Sequence, residues 1–410
     1  MSEDCIWLTN GLQIGDADDS KSVLSKACCR SKHNQSVIDS TDGDLKKLVS
    51  ASYSPEDHIQ KLKNPLYNFQ NLKDTVCKTC HEAEKSVGQS MRTVYAGNYT
   101  KKVKPGTIRL LQVSFGNFCN FKCRYCSPTH STSWNNDTPF MKEIMEQNKD
   151  SKISIDHVYT KALNNEQETY NIEKDIVEQL SSVDLSHLQY VGVFGGEPFL
   201  SRHWKPFVEL LSQKCDISKI RLQINSNFSI FPKSNIIEVL KRFGYVDLRA
   251  SMEATGKLAE YIRAGLQWTV FEKNYNKWKD ISTEFPNIRL QVHMTNNVFN
   301  INKVSEFEEW LLDTSDGQPK EHFTQYLYTP EFLDLRRVLT GQQLDICIKR
   351  IEKMKIEKLR ESLLNFASKK NLYDEDLVER FKLFNNSLDK SRIEKLQDVN
   401  PELASWVDYR

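Results

Sequence analysis

Residues 113–134 read VSFGNFCNFKCRYCSPTHSTSW and place Cys119, Cys123 and Cys126 at C-x3-C-x2-C spacing. The apolar run 108–115 leads into them and reads as a strand. Gly116 and Asn117 end that strand, so the three thiols fall on a loop at its C-terminal end. Soft thiolates gathered on a short loop suit an iron–sulfur cluster or zinc. A closed structural zinc site wants a fourth ligand close by. None follows in the loop at C-x2-C or H-x3–5-H spacing, and His130 is its only nitrogen candidate. Three ligands beside one open position is the arrangement of a reactive site.

Downstream, strands and helices alternate. The apolar strand 189–194 runs into Gly195-Gly196-Glu197-Pro198. Two glycines at a strand end let the backbone approach a ligand closely, and Glu197 can pair with an ammonium. Strand 220–224 ends in Asn225-Ser226-Asn227, strand 246–252 in Glu253-Ala254-Thr255-Gly256, and strand 288–294 in Thr295-Asn296-Asn297. The last apolar run is 323–328, and helical stretches at 202–212 and 235–243 fall between. A β/α repeat of this kind implies a parallel sheet with right-handed crossovers. The expected fold class is α/β, a partial (β/α)6 TIM-type barrel over residues 105–330. Ligands of such sheets bind at the C-terminal strand ends, where the polar residues lie. Asn or Ser at a strand end also caps the following helix, a role that needs no ligand.

Residues 1–104 form an N-terminal arm dense in cysteine: Cys5, Cys28, Cys29 and the pair Cys77-x2-Cys80. Cys5 lies in what reads as a short strand and turn, and a helical stretch at 56–72 is interrupted by Pro65. Residues 331–410 are charged and helix-prone, with expected helices at 331–339, 342–367 and 374–388. Asp389-Lys390-Ser391-Arg392 and Pro401-Glu402-Leu403 close the chain. A net charge of +1 on 410 residues argues against a nucleic-acid partner. No apolar run is long enough for a membrane span. Ten cysteines behind a start, MSEDCIWLTN, without a signal-peptide pattern point to metal or redox use in the reducing cytoplasm.

The thiol motif, with Tyr125 directly before Cys126, resembles the cluster motif of the radical S-adenosylmethionine (SAM) superfamily. The resemblance implies that Cys119, Cys123 and Cys126 bind three irons of a [4Fe–4S] cluster while SAM chelates the fourth. Gly195-Gly196-Glu197-Pro198 resembles the motif that holds the methionine amino group of SAM. Asn225 resembles the ribose-facing polar residue, Ser251 and Glu253 resemble members of a strand-end motif, and Arg263 resembles an arginine facing the SAM carboxylate. The arm resembles the auxiliary-cluster modules of SPASM or twitch type, which implies a second [4Fe–4S] cluster on Cys5, Cys28 or Cys29, Cys77 and Cys80. In better-known members that module follows the barrel; here it precedes it. The implied activity is reductive cleavage of SAM to a 5′-deoxyadenosyl radical, which abstracts hydrogen from a substrate, with a peptide or protein side chain as the first guess. A reducing donor such as a flavodoxin or ferredoxin is the implied partner. A non-catalytic zinc- or iron–sulfur-binding scaffold of the same fold is the rival reading.

Overall fold

The computed structural model describes residues 5–14, 25–26, 55–73, 77–87, 90, 92–93, 103–128, 130–147, 173–314 and 322–409. Its eight strands are β1 (Gly11–Ile14), β2 (Ser25–Lys26), β3 (Leu110–Ser114), β4 (Tyr190–Phe194), β5 (Arg221–Ser226), β6 (Tyr245–Ser251), β7 (Ile288–Asn296) and β8 (His322–Tyr326). They form one sheet in the order β2-β1-β3-β4-β5-β6-β7-β8. β2 is an antiparallel edge on β1, and the other seven strands make the open parallel sheet of a partial TIM-type fold. The sequence pattern shows six of the seven. The extra one, β1, follows a helical turn at Ile6–Asn10 where a short strand was expected. Four residues are too few to display a period; pairing with β3, Gly11 against Leu110 through Ile14 against Val113, makes them a strand.

The chain divides into two compact units. The first holds residues 1–116, 169–224 and 233–246. β3 and β4 are buried along almost their whole length, so they read as continuous apolar runs. The Asn10 amide donates to the Lys104 and Thr107 carbonyls at 3.1 and 2.9 Å, and the Arg109 N–H donates to the Asn10 carbonyl at 2.9 Å. These bonds fix the start of β1 against the segment entering β3. The helical stretch around residues 56–72 breaks as Pro65 requires, into Pro55–Leu62 and Phe69–Leu72.

The second unit holds residues 117–168, 225–232 and 247–410. β7 and β8 pair in parallel from Val292 with His322 to Asn296 with Tyr326. The expected helix 342–367 is two, Gly341–Ile351 and Glu357–Ala367. No Gly or Pro marks the break. It comes from the buried Ile356, whose N–H donates to Glu308 Oε1 at 2.6 Å instead of continuing a helical ladder. The final long helix is Glu375–Arg392. Among the described residues no helix is long and apolar enough to cross a membrane.

Candidate cofactor site

The thiol loop belongs to the second unit and is held by backbone bonds. Lys122 N–H donates to the Ala264 carbonyl at 2.9 Å and Arg124 N–H to the Ile262 carbonyl at 2.8 Å. The loop therefore lies against the end of helix Gly256–Ile262. Gly265 has a φ of +105°, and a Cβ there would stand 2.8 Å from the Asn120 carbonyl oxygen, so this approach demands glycine. The 3-10 turn Thr132–Asn136 secures the other side. Ser133 Oγ donates to the Cys119 carbonyl at 2.7 Å, and Trp134 Nε1 donates to the Cys123 carbonyl at 3.2 Å.

With the carbonyls engaged, the sulfurs meet N–H donors. Phe121 N–H lies 3.4 Å from Cys119 Sγ, Asn227 Nδ2 lies 3.9 Å from the same sulfur, and Arg263 Nη1 lies 3.8 Å from Cys123 Sγ. Donors around a thiolate stabilise its negative charge and tune any metal it holds. Cys123 is buried, while Cys119, Cys126 and Tyr125 are half-buried. Burial pushes the Cys123 thiol up, and the nearby Arg263 charge pulls it back. The three thiols also act on one another electrostatically. Among the described residues no three His, Cys, Asp or Glu side chains converge as a single metal ion requires. A cubane spreads its thiolates over separate irons, and the loop offers three thiols with N–H donors at two of the sulfurs, Cys119 and Cys123.

Arg263 forms a fork with Glu253: Nε to Oε2 at 2.6 Å and Nη2 to Oε1 at 2.7 Å, both side chains buried. Burial opposes the guanidinium charge, but Glu253 outweighs it and holds the Arg263 pKa well above its ordinary value. Asn300 Nδ2 donates to the Glu253 carbonyl at 3.0 Å and fixes the turn after β6. The Arg263 guanidinium sits 5.5 Å from the Tyr125 ring centroid, within cation–π range. The structure thus brings Cys119, Cys123, Cys126, Tyr125, Glu253, Arg263 and Asn227 into one neighbourhood. Ser251 is the half-buried last residue of β6, and Asn225 is half-buried near the end of β5. Asn227, two residues beyond Asn225, reaches the loop at Cys119 Sγ and Asn120 Oδ1.

One face of β6 and β7 is polar although covered. Asp247, Gln291, His293 and Thr295 are buried there, alternating with the apolar Val246, Leu248, Leu290, Val292 and Met294. Burial, with Arg249 and Arg263 nearby, pushes His293 down to about 3, so it stays neutral at ordinary pH.

The first unit carries the remaining predicted residues. Gly195 and Gly196 have φ of +80° and +47°. A Cβ on Gly195 would fall 2.0 Å from Ser114 Oγ and 2.8 Å from the Gly116 carbonyl oxygen, so the turn packs on the end of β3. Glu197 is buried, and its Oε1 accepts the Phe199 N–H at 3.1 Å, capping the turn Pro198–Leu200. Cys5 is buried, and Cys77 and Cys80 are half-buried at the start of helix Lys78–Val87. Glu84 raises the pKa of Arg92 through a hydrogen bond at 2.9 Å, and Cys5 and Cys80 lie close enough to add to the effect. Cys28 and Cys29 lie outside the described residues.

Residues that the sequence reading left unassigned stand out beside the loop. Arg124, between Cys123 and Cys126, is fully buried and bound by Asp389 and Glu394. Asp137 is fully buried and bound by Lys122, Ser391 and Arg392. The signal available in sequence was a basic residue inside a ligand motif and a charged Asp-Lys-Ser-Arg run, neither of which names its partner.

No curated protein matches the chain. Among solved structures it is similar to native anSMEcpe with bound AdoMet, at 13% identity over 63% of this chain and 61% of that one, TM-score 0.39. It is also similar to TYW1 with a lysine-pyruvate adduct bound, at 13% identity over 67% and 80%, TM-score 0.33. Streptococcus suis SuiB matches at 12% identity over 87% and 68%, TM-score 0.33. The chain spans about three-fifths of the anSMEcpe chain it matches. Residues 113–285, which contain the thiol loop, the Gly195–Pro198 turn, Asn225, Ser251 and Arg263, match the model of the Radical SAM superfamily.

Proposed function

We propose that this protein is a radical SAM enzyme whose [4Fe–4S] cluster is held by Cys119, Cys123 and Cys126. The observation that carries the reading is the thiol loop itself, three cysteines on a braced loop with N–H donors at two of the sulfurs. A [4Fe–4S] cluster held by Cys119, Cys123 and Cys126 would supply the one-electron reduction that cleavage of a SAM C–S bond to a 5′-deoxyadenosyl radical requires. The protein's own residues bind, orient and shield. Asn227 and Arg263 donate toward the sulfurs, and Glu253 keeps Arg263 charged and aimed. By the motif resemblance, Asn225, Ser251 and Tyr125 of the second unit are SAM contacts, and the Gly195–Gly196 turn of the first unit offers Glu197 to an ammonium. Covering these groups from solvent protects a radical that would react with whatever is near.

The finer features of this reading are a SPASM/twitch-like arm and a second cluster on Cys5, Cys28, Cys77 and Cys80. The remaining ones are a flavodoxin- or ferredoxin-type donor, a peptide or protein side chain as substrate, and a cytoplasmic setting. The test is anaerobic reconstitution with iron and sulfide, then SAM and dithionite, with 5′-deoxyadenosine followed by mass spectrometry. Deoxyadenosine from the intact protein, and none from the Cys119/Cys123/Cys126→Ala variant, is the expected result. A folded protein that takes up zinc in place of iron and leaves SAM intact would overturn the enzyme and leave a metal-binding scaffold.

A further inference from the structure

The second unit buries charged side chains, Arg124 and Asp137 among them, against the thiol loop. Arg124 is fully buried, and its guanidinium donates to the Tyr261 carbonyl at 3.0 Å, Asn385 Oδ1 at 2.6 Å, Asp389 Oδ1 at 2.6 Å and Glu394 Oε2 at 2.7 Å. It also stacks on the Tyr261 ring, 3.6 Å from the centroid. Asp389 is saturated: Tyr261 Oη donates to one oxygen at 2.9 Å, and Tyr409 Oη and Leu396 N–H donate to the other at 2.8 and 3.0 Å. Beside this network stands Asp137, whose Oδ1 accepts Lys122 Nζ at 3.0 Å and Ser391 Oγ at 2.6 Å. Its Oδ2 accepts Arg392 Nη2 at 2.9 Å. Both cationic side chains of the loop, Lys122 and Arg124, are therefore tied to the end of helix Glu375–Arg392, one directly and one through Asp137.

The backbone is bent to make this happen. Ile393 adopts φ +55° and ψ +46°, a left-handed conformation rare for a β-branched residue, and the residue is 95% exposed. It packs on nothing that would reward the conformation. What the turn achieves is to direct Arg392 and Glu394, its two neighbours, both at the loop. Buried ion pairs return little net stability against their desolvation, but a network bonded this densely, with Arg392 Nη1 as the exception, admits few geometries.

We propose that the end of helix Glu375–Arg392, through Asp389, Ser391, Arg392 and Glu394, is a latch that sets the geometry of the thiol loop, with Arg124 and Asp137 as positioning residues for the cluster. The link to a cluster rests on the function proposed above; the latch on the loop does not. The experiment uses the full chain, metal-free, with Glu394→Ala and Arg124→Lys variants. Iodoacetamide alkylation of Cys119, Cys123 and Cys126 is followed by peptide mass spectrometry, with Cys215 of the first unit as internal reference. Both variants should expose the loop thiols about tenfold faster, as expected for weakening a local opening equilibrium, with Cys215 unchanged. Glu394 lies at the rim, its side chain 29% exposed, so its removal leaves the fold intact even where Arg124→Lys does not. After reconstitution, the variants should hold less iron and show an altered electron paramagnetic resonance spectrum of the reduced protein. Loop thiols in Glu394→Ala that react at the wild-type rate would overturn the latch. Wild-type protein with protected thiols but no iron uptake would instead overturn the radical SAM reading and leave the latch standing.

Discussion

Arg263 and Glu253 show why sequence could name a residue and still miss its contacts. The motif Ser-Met-Glu-Ala-Thr-Gly and the arginine before Gly265 were both legible as strand-end features. Their mutual fork, with side chains 7% and 1% exposed, was not, because nothing in a sequence reports a pairing made by a turn. The pair makes a sharp prediction. Arg263→Met strands a buried carboxylate and should cost about 3–5 kcal/mol in urea unfolding, whereas Arg263→Met with Glu253→Leu should recover much of that loss. A double variant no more stable than the single one would show that the fork is not the source of the cost. Ile393 makes the opposite prediction. Replacement by glycine removes left-handed strain of about 1–2 kcal/mol, offset by about 0.5–1 kcal/mol of extra freedom in the unfolded chain. The expected net is a stabilisation of about 0.5–1 kcal/mol in the same assay, and a destabilised Ile393→Gly protein would mean that the conformation is not strained.

The helix Glu375–Arg392 was expected at 374–388, and its body was legible for ordinary reasons. Asp374 caps it by accepting the Asp376 N–H at 3.0 Å, Glu375 and Asp376 suit its positive end, and Lys390 and Arg392 suit its negative end. Its last turn was not legible, because periodicity ends where the exposed face ends, whereas the turn is held by bonds to the loop. That turn confers a pH response. Burial opposes the charge on Asp137, but Arg392, Ser391 and Lys122 outweigh it and hold the carboxyl below the usual range. A carboxyl lowered in the folded state contributes its full stability above the unfolded value of about 4, and loses it as pH falls through the folded value. Comparing thermal unfolding of wild type with Asp137→Asn should therefore show a constant advantage between about pH 5 and 7 that shrinks below about pH 4. An advantage that grows on acidification would contradict the assignment.

The parallel sheet was readable because β3 and β4 are largely apolar, β5, β6 and β7 alternate apolar with polar residues, and each strand ends at or just before Gly, Asn or Ser. Two things escaped. β1 is too short to announce itself, and the polar face of β6 and β7 looks from sequence like an exposed one, although it is buried. The cysteines, by contrast, were legible as two groups, and the groups fall in different compact units: Cys5, Cys77 and Cys80 in the first, Cys119, Cys123 and Cys126 in the second. This separation makes the number of clusters a question that iron counting answers. If each group binds its own [4Fe–4S] cluster, reconstituted wild type carries about eight irons per chain. Cys77→Ser with Cys80→Ser should then fall to about four and keep SAM binding, because the thiol loop is untouched. Cys119→Ser with Cys123→Ser and Cys126→Ser should also fall to about four but lose SAM binding, since the open iron position goes with the loop. Four irons in wild type, unchanged by the Cys77 and Cys80 substitutions and abolished by those in the loop, would remove the second cluster and leave the N-terminal thiols as packing groups around Arg92.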